Sequence, residues 1–234
     1  MLKKVFVVAV LVVFAILLFR SYGLMDAGTR LNPVATRYAQ DGPEEVGAAN
    51  LVTAVIVTYR GLDTLGEVTI LFLTASIIGF FLASGSHQEP RSAQGTGTSE
   101  ILQTAARVIT PIIFLIGIYV FINGHLTPGG GFQGGAIVAS GLVLMLLANP
   151  GRKVSHTLIS AVESISGISF VILGILGLIL ASGFLDNSIL GPGRFGTLFS
   201  AGAIPVIYIF VGLKVGAELS GIVSNLQQTT KEDT

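Results

Sequence analysis

The 234-residue sequence has no cysteine, so it forms no disulfide and offers no thiolate to an iron–sulfur cluster or a zinc ion. Charge is scarce as well. Asp, Glu, Lys and Arg make up 11% of the residues, less than half of the roughly 25% carried by soluble domains. The 13 basic and 13 acidic residues cancel, and a chain with no net positive field is a poor nucleic-acid binder. Signs of enzyme chemistry are also missing. No nucleophile motif, carboxylate pair or two-His zinc spacing occurs, and His87, His125 and His156 are scattered.

What the sequence does have is apolar length. Hydrophobic residues reach 51% and the mean hydropathy is +0.81. The 30 glycines are roughly twice the usual share of about 7%, an excess that suits membrane helices. A bilayer core of about 30 Å needs roughly 20 mostly apolar helical residues. Val5 to Phe19 is uncharged and flanked by Lys3, Lys4 and Arg20. A cleaved signal peptide shares that layout, but Arg20-Ser21-Tyr22 is a poor cleavage site, which favours a retained anchor. Further spans are expected at Val68 to Ala83, Val108 to Ile122, Phe132 to Ala148, Ile165 to Leu185 and Phe195 to Leu213. The fifth extends back towards His156 and the sixth on towards Val223. Ala48 to Tyr59 is too short to cross and reads as a half-helix. The expected fold is an all-α, polytopic membrane protein with six transmembrane helices and one short half-helix.

Six spans place both termini on one face. With the N-terminus cytoplasmic, that face collects Lys3, Lys4, Arg91, Arg152, Lys153 and Lys231, and the other Arg20, Arg30, Arg37 and Arg194. The bias follows the positive-inside rule. Residues 84–100 are rich in Ser, Gly and Thr and read as a flexible linker between a segment 1–83 and a four-span domain 101–224, with a polar tail at 225–234.

Three places could carry chemistry. In Arg60-Gly61-Leu62-Asp63-Thr64-Leu65-Gly66-Glu67, Thr64 and Glu67 have the spacing of a capping box. Capping and function are compatible for Glu67 and Asp63, because an ionisable group at mid-helix costs about 2.5–3.5 kcal/mol and usually serves an ion or proton path. The stretch Asn123 to Gly135 contains Pro128, Gly129, Gly131 and Gly134. The glycines formally fit a dinucleotide fingerprint, which fails here because no strand precedes them. A turn is the simpler reading, with Pro128 stopping a helix and the glycines allowing positive φ and close backbone approach. His125 within it is either a proton-exchanging group or a hydrogen-bonded structural one. In the last span Lys214 and Glu218 are four residues apart on one helix face. Snorkelling of Lys214 to the interface is the alternative. Pro205, read as mid-span, would kink the helix, and Glu163 enters the fifth span without a sequence-local partner.

These motifs resemble a known family. Asn50-Leu51-Val52-Thr53-Ala54-Val55, followed by Tyr59 to Glu67, resembles the C-terminal segment of the large Mrp antiporter subunit, which in membrane-bound hydrogenases is a separate, E-type small subunit. Arg107-Val108-Ile109-Thr110-Pro111-Ile112, continuing through Asn123 to Gly135, resembles the MnhB subunit of Mrp antiporters. The resemblance implies a non-catalytic membrane subunit of a complex-I-related, sodium-translocating assembly. It implies other Mrp-like membrane subunits as partners in the lipid bilayer, iron–sulfur peripheral subunits beside them, and Na+ as the transported ion. It puts Glu67 on an ion path. The fusion of both parts is similar to the sulfane-sulfur reductase branch. Plain Mrp antiporter subunits often carry an Asp in the last helix, which this chain lacks. A structural adaptor and an autonomous transporter are the other readings, the latter without support from an inverted repeat.

Overall fold

The computed structural model describes residues 2–24, 31–85, 98–152 and 154–232. Residues 86–97 of the expected linker, with Arg91, lie outside the described residues, as do Arg30, Lys153 and residues 233–234 of the tail. Among the described residues, six helices are long and apolar enough to cross a membrane. Each follows from a long apolar run, whose backbone polar groups must be satisfied internally in lipid.

The chain divides into two units, Met1–Arg37 and Tyr38–Thr234. In the first, α1 (Leu2–Leu24) is apolar all round, and its side chains from Lys4 to Tyr22 are exposed. That pattern suits a helix surrounded by lipid. The start of α2 (Pro33–Gln40) is fixed by Asn32, whose side chain accepts the Ala35 N–H at 2.7 Å, with Pro33 at the first helical position.

In the second unit, α3 (Gly42–Val46) leads to α4 (Leu51–Thr53), which continues as a π-helical turn over Ala54–Tyr59. Nine helical residues reach about 14 Å, well short of a bilayer core, so this segment does not cross. Four spans follow the next helix, α5 (Gly61–Gly85): α6 (Glu100–Ile122), α7 (Gly131–Ala148), α8 (His156–Leu180) and α9 (Ile204–Glu232). The α9 helix packs against α5, α6, α7 and α8. The helix before the expected linker, α5, and the four after it lie in one unit, with α5 packed against α9.

Several details differ from the sequence expectation. The fifth span ends at Leu180 rather than Leu185, and the apolar run 195–203 is loop rather than helix. Left-handed backbone at Gly193, Gly196, Ala201 and Gly202 (φ 65, 79, 64 and 58°) breaks any helix there. Pro205 is thus not mid-span. It sits in the first turn of α9, where a missing N–H costs nothing and no kink results. Nor does Pro128 stop α6, which ends at Ile122, with Asn123 donating its side-chain amide to the Tyr119 carbonyl at 3.1 Å. The polar tail is helical through Glu232.

The 181–203 loop is held down by Asn187, which is buried. Its amide donates to the carbonyls of Val46 (2.8 Å) and Ala201 (3.3 Å), and its Oδ1 accepts from the Thr58 hydroxyl (3.3 Å). One side chain thereby ties the loop to the short helical segment. Around it Val46, Ala48, Val57, Phe170, Leu185, Ile204 and Ile207 form a continuous apolar core.

Candidate ion-pathway site

The two charged residues within the Ile204–Leu226 span of α9, Lys214 and Glu218, sit near its middle. Lys214 donates to Glu218 Oε1 at 2.6 Å, and their side chains are 9% and 0% exposed. Four-residue spacing puts both on one helix face, and packing by α5 and α8 seals them. The ammonium lies 5.1 Å from the centre of the Phe72 ring on α5, a cation–π contact. Its aliphatic end packs against Gly167 of α8, where an added Cβ would lie 3.3 to 3.4 Å from the Lys214 side chain. Snorkelling is thus overturned: the lysine is buried at mid-span and never reaches an interface.

Two further features set this pair apart. Glu218 Oε2 is buried with no hydrogen-bond partner among the described residues, and buried charge is normally fully hydrogen-bonded. Glu163 on α8, half-buried, lines a cleft of about 330 Å3 with Lys214, Phe72 and Gly167. Two carboxylates and one ammonium thus lie in this part of the bundle, and among the described residues only Glu218 pairs with the ammonium. A cation entering the cleft would meet excess negative charge.

The other expected site residues are elsewhere. Asp63 pairs with Arg60 at the start of α5, both exposed. Glu67 is exposed one turn further on. The capping box does not form. Thr64 already lies inside α5, and its buried hydroxyl donates to the Ile56 carbonyl at 2.9 Å, an acceptor in the π-helical turn. Asp63, not Glu67, is the acid of the first turn. Gly66 has open space around its Cα, while Gly131 and Gly134 are pressed against neighbouring helices.

Sequence reasoning missed a buried polar chain. The buried Tyr208 hydroxyl donates to Thr53 Oγ1 at 3.0 Å, and Thr53 donates to the Gly124 carbonyl at 2.7 Å. The Asn50 amide donates to the same carbonyl (2.8 Å) and to that of Thr127 (3.0 Å), while its Oδ1 caps α4. Tyr208 is the only aromatic hydroxyl in the last span, a signal that could have been used.

His125, in the turn between α6 and α7, is fully buried. Its Nε2 is 3.3 Å from the Thr197 carbonyl, its Nδ1 has no partner among the described residues, and its own carbonyl accepts from the Asn50 N–H at 3.0 Å. Burial lowers its pKa below the ordinary 6.5, opposed chiefly by the Thr197 carbonyl. With the folded-state pKa depressed, the unfolded turn binds more protons just below pH 6.5. Stability should therefore fall as pH drops through that value and level off below the folded-state pKa. Thermal unfolding from pH 8 to about 5 checks this, and His125→Gln should flatten the profile.

Among the described residues, no three His, Asp or Glu side chains come together as a metal site would need. Comparison with known proteins identifies the module. A family model described as a domain related to the MnhB subunit of Na+/H+ antiporters matches residues 101–221. The chain belongs to this MnhB-related family. A second model, for the E-type subunit of MBH, matches residues 2–84. In the solved structure of the membrane-bound sulfane sulfur reductase, an archaeal respiratory membrane complex, one chain is similar at 41% identity, with 97% of this chain and 98% of that one covered and a TM-score of 0.82. An uncharacterized protein of Methanocaldococcus jannaschii is 31% identical, over 73% of this chain and 74% of its own length. The B-type subunit of the Bacillus subtilis Na+/H+ antiporter is 41% identical over 81 residues, which are 35% of this chain and 51% of that protein. The chain thus spans about half the length of this relative. The Mrp complex of Dietzia shares the fold, with a TM-score of 0.78 at 24% identity over 96% of this chain and 26% of that one. As an MnhB-related chain, the protein is a non-enzymatic, multi-pass membrane subunit.

Proposed function

We propose that the chain is the membrane subunit of a complex-I-related, ferredoxin-linked respiratory assembly, in which it contributes to Na+ translocation. The buried Lys214–Glu218 pair, with Glu163 across the cleft, carries this reading. Ionisable groups at mid-span are costly and mark ion or proton routes. Near-complete mutual coverage with a sulfane sulfur reductase chain favours the respiratory assembly over a plain Na+/H+ antiporter. Redox centres belong to iron–sulfur partner subunits, since a chain without cysteine offers no thiolate to hold a cluster. Both termini are cytoplasmic on this reading, and residues 1–83 and 101–224 act as one module.

The ion path includes Glu163, Lys214 and Glu218 in the span. Glu67 and Asp63 stand exposed near the start of α5, and His125 lies in the α6–α7 turn. The test uses the assembled complex carrying Glu163→Gln or Glu67→Gln, with Na+ transport, donor-to-acceptor turnover and subunit content measured together. Transport should fall at least about tenfold, the scale of one lost charge interaction of about 1.4 kcal/mol, while subunit content stays unchanged. Full transport with intact assembly would remove these residues from the path. Lost assembly would make the chain a structural adaptor.

A further inference from the structure

A second cavity, away from the ion pair, is lined by two arginines. This cavity, of about 330 Å3, opens at the end of the α6–α7 hairpin opposite the glycine-rich turn. Arg107 of α6 lines it from one side and Arg152, in the turn after α7, from the other. Neither guanidinium pairs with a carboxylate among the described residues, and no acidic residue lines the cavity. The amides of Gln103 and Asn149 complete its polar rim.

A second, independent observation is Thr110. It also lines the cavity, is 7% exposed, and its hydroxyl is buried without a hydrogen-bond partner. A threonine inside a helix commonly returns its hydroxyl to the carbonyl four residues back. Thr69 and Thr74 of α5 do so, at 2.7 and 2.8 Å. Thr110 does not, so among the described residues its buried hydroxyl is an unsatisfied polar atom in the wall of this cavity.

Planar guanidinium forks match the oxygens of a phosphate and can bind it bidentately. Below the rim the lining turns apolar at Phe114 and Met145. Arg107 is two turns into α6, roughly 10 Å from its start, a depth at which a head group can reach it while its acyl chains stay in hydrocarbon. Basic pockets between transmembrane helices hold anionic head groups in this way. We propose that this pocket binds a phosphate-bearing anion, its apolar depth favouring the phosphodiester of an anionic phospholipid over free phosphate.

The test uses the intact complex in detergent with photo-activatable phosphatidylglycerol, and maps cross-links by peptide mass spectrometry. Labelling is expected on the peptides around Gln103–Phe114 and Met145–Arg152. Excess phosphatidylglycerol should compete, and phosphatidylcholine, whose ammonium would face a guanidinium, should not. Arg107→Gln with Arg152→Gln should cut the labelling about tenfold or more, and Thr110→Val by a smaller factor. Competition by millimolar inorganic phosphate would make free phosphate the ligand of the same site. No labelling of these peptides in the unaltered complex, or labelling unchanged in the double variant, overturns the proposal. If the double variant does not assemble, the competition pattern in the unaltered complex decides alone.

Discussion

Lys214→Met is expected to destabilise the folded protein by about 3–5 kcal/mol, because it strands a buried carboxylate inside the membrane span. Glu218 is fully buried, its Oε1 is held by Lys214 at 2.6 Å, and its Oε2 has no other partner among the described residues. Removing the ammonium leaves a charge that water cannot reach. The subunit should be lost from the purified complex, or melt at a clearly lower temperature. Replacing the pair together, Lys214→Met with Glu218→Leu, removes both charges and fills similar volume. Such exchanges are often neutral or stabilising, so assembly should return. Transport should not return if the pair lies on the ion path. A double variant that both assembles and transports Na+ normally would reduce the pair to a structural element.

Gly135→Val should be nearly as damaging, for a steric reason. A Cβ at Gly135 would stand 2.7 Å from the Gly212 carbonyl oxygen and 2.8 Å from Val215 Cβ, so α7 and α9 meet almost backbone to backbone. Small residues permit that approach in membranes, where packing rather than hydrophobicity holds helices together. Neither obstacle is a flexible side-chain end, so the helices must part. Overpacking commonly costs about 1–3 kcal/mol, and displacement of the central helix puts this site at the upper end. Gly66→Ala is the control. Nothing lies within 4 Å of a Cβ there, so the gain in helix propensity, about 0.5–1 kcal/mol, should make it neutral or mildly stabilising. Retained subunit content and melting temperature distinguish the two variants.

The contrast between these glycines shows what a sequence can convey. Apolar runs without charge mark spans because lipid allows few other structures, and the half-helix at 48–59 is too short to be one. The Lys214–Glu218 pair is legible for an equally local reason, since four-residue spacing shares a helix face. The 195–203 run misleads because hydropathy records composition and not backbone dihedrals. Its glycines, and Ala201 at φ 64°, turn the chain in a left-handed sense that no apolarity scale contains. With that run assigned to helix, Pro205 looks like a mid-span kink when it is a start signal. The partners of the ion pair are not legible at all. Phe72, Glu163 and Gly167 come from other helices, and Tyr208 meets Thr53 across 155 residues. Only packing brings such groups together.

The backbone contact between α7 and α9 has a mechanical consequence. A helix pressed against its neighbour at Gly135 and wedged among α5, α6 and α8 has no slack in which to rock. On the proposed function, ion passage beside it is then accommodated by side chains, such as Lys214 leaving Glu218, and not by alternating opening of the bundle. The natural clock for such a step is the nanosecond scale of rotamer exchange, not the microseconds to milliseconds of helix motion. The proposed ion path would then make the module a fixed conduit, with the step that paces transport placed in its partner subunits.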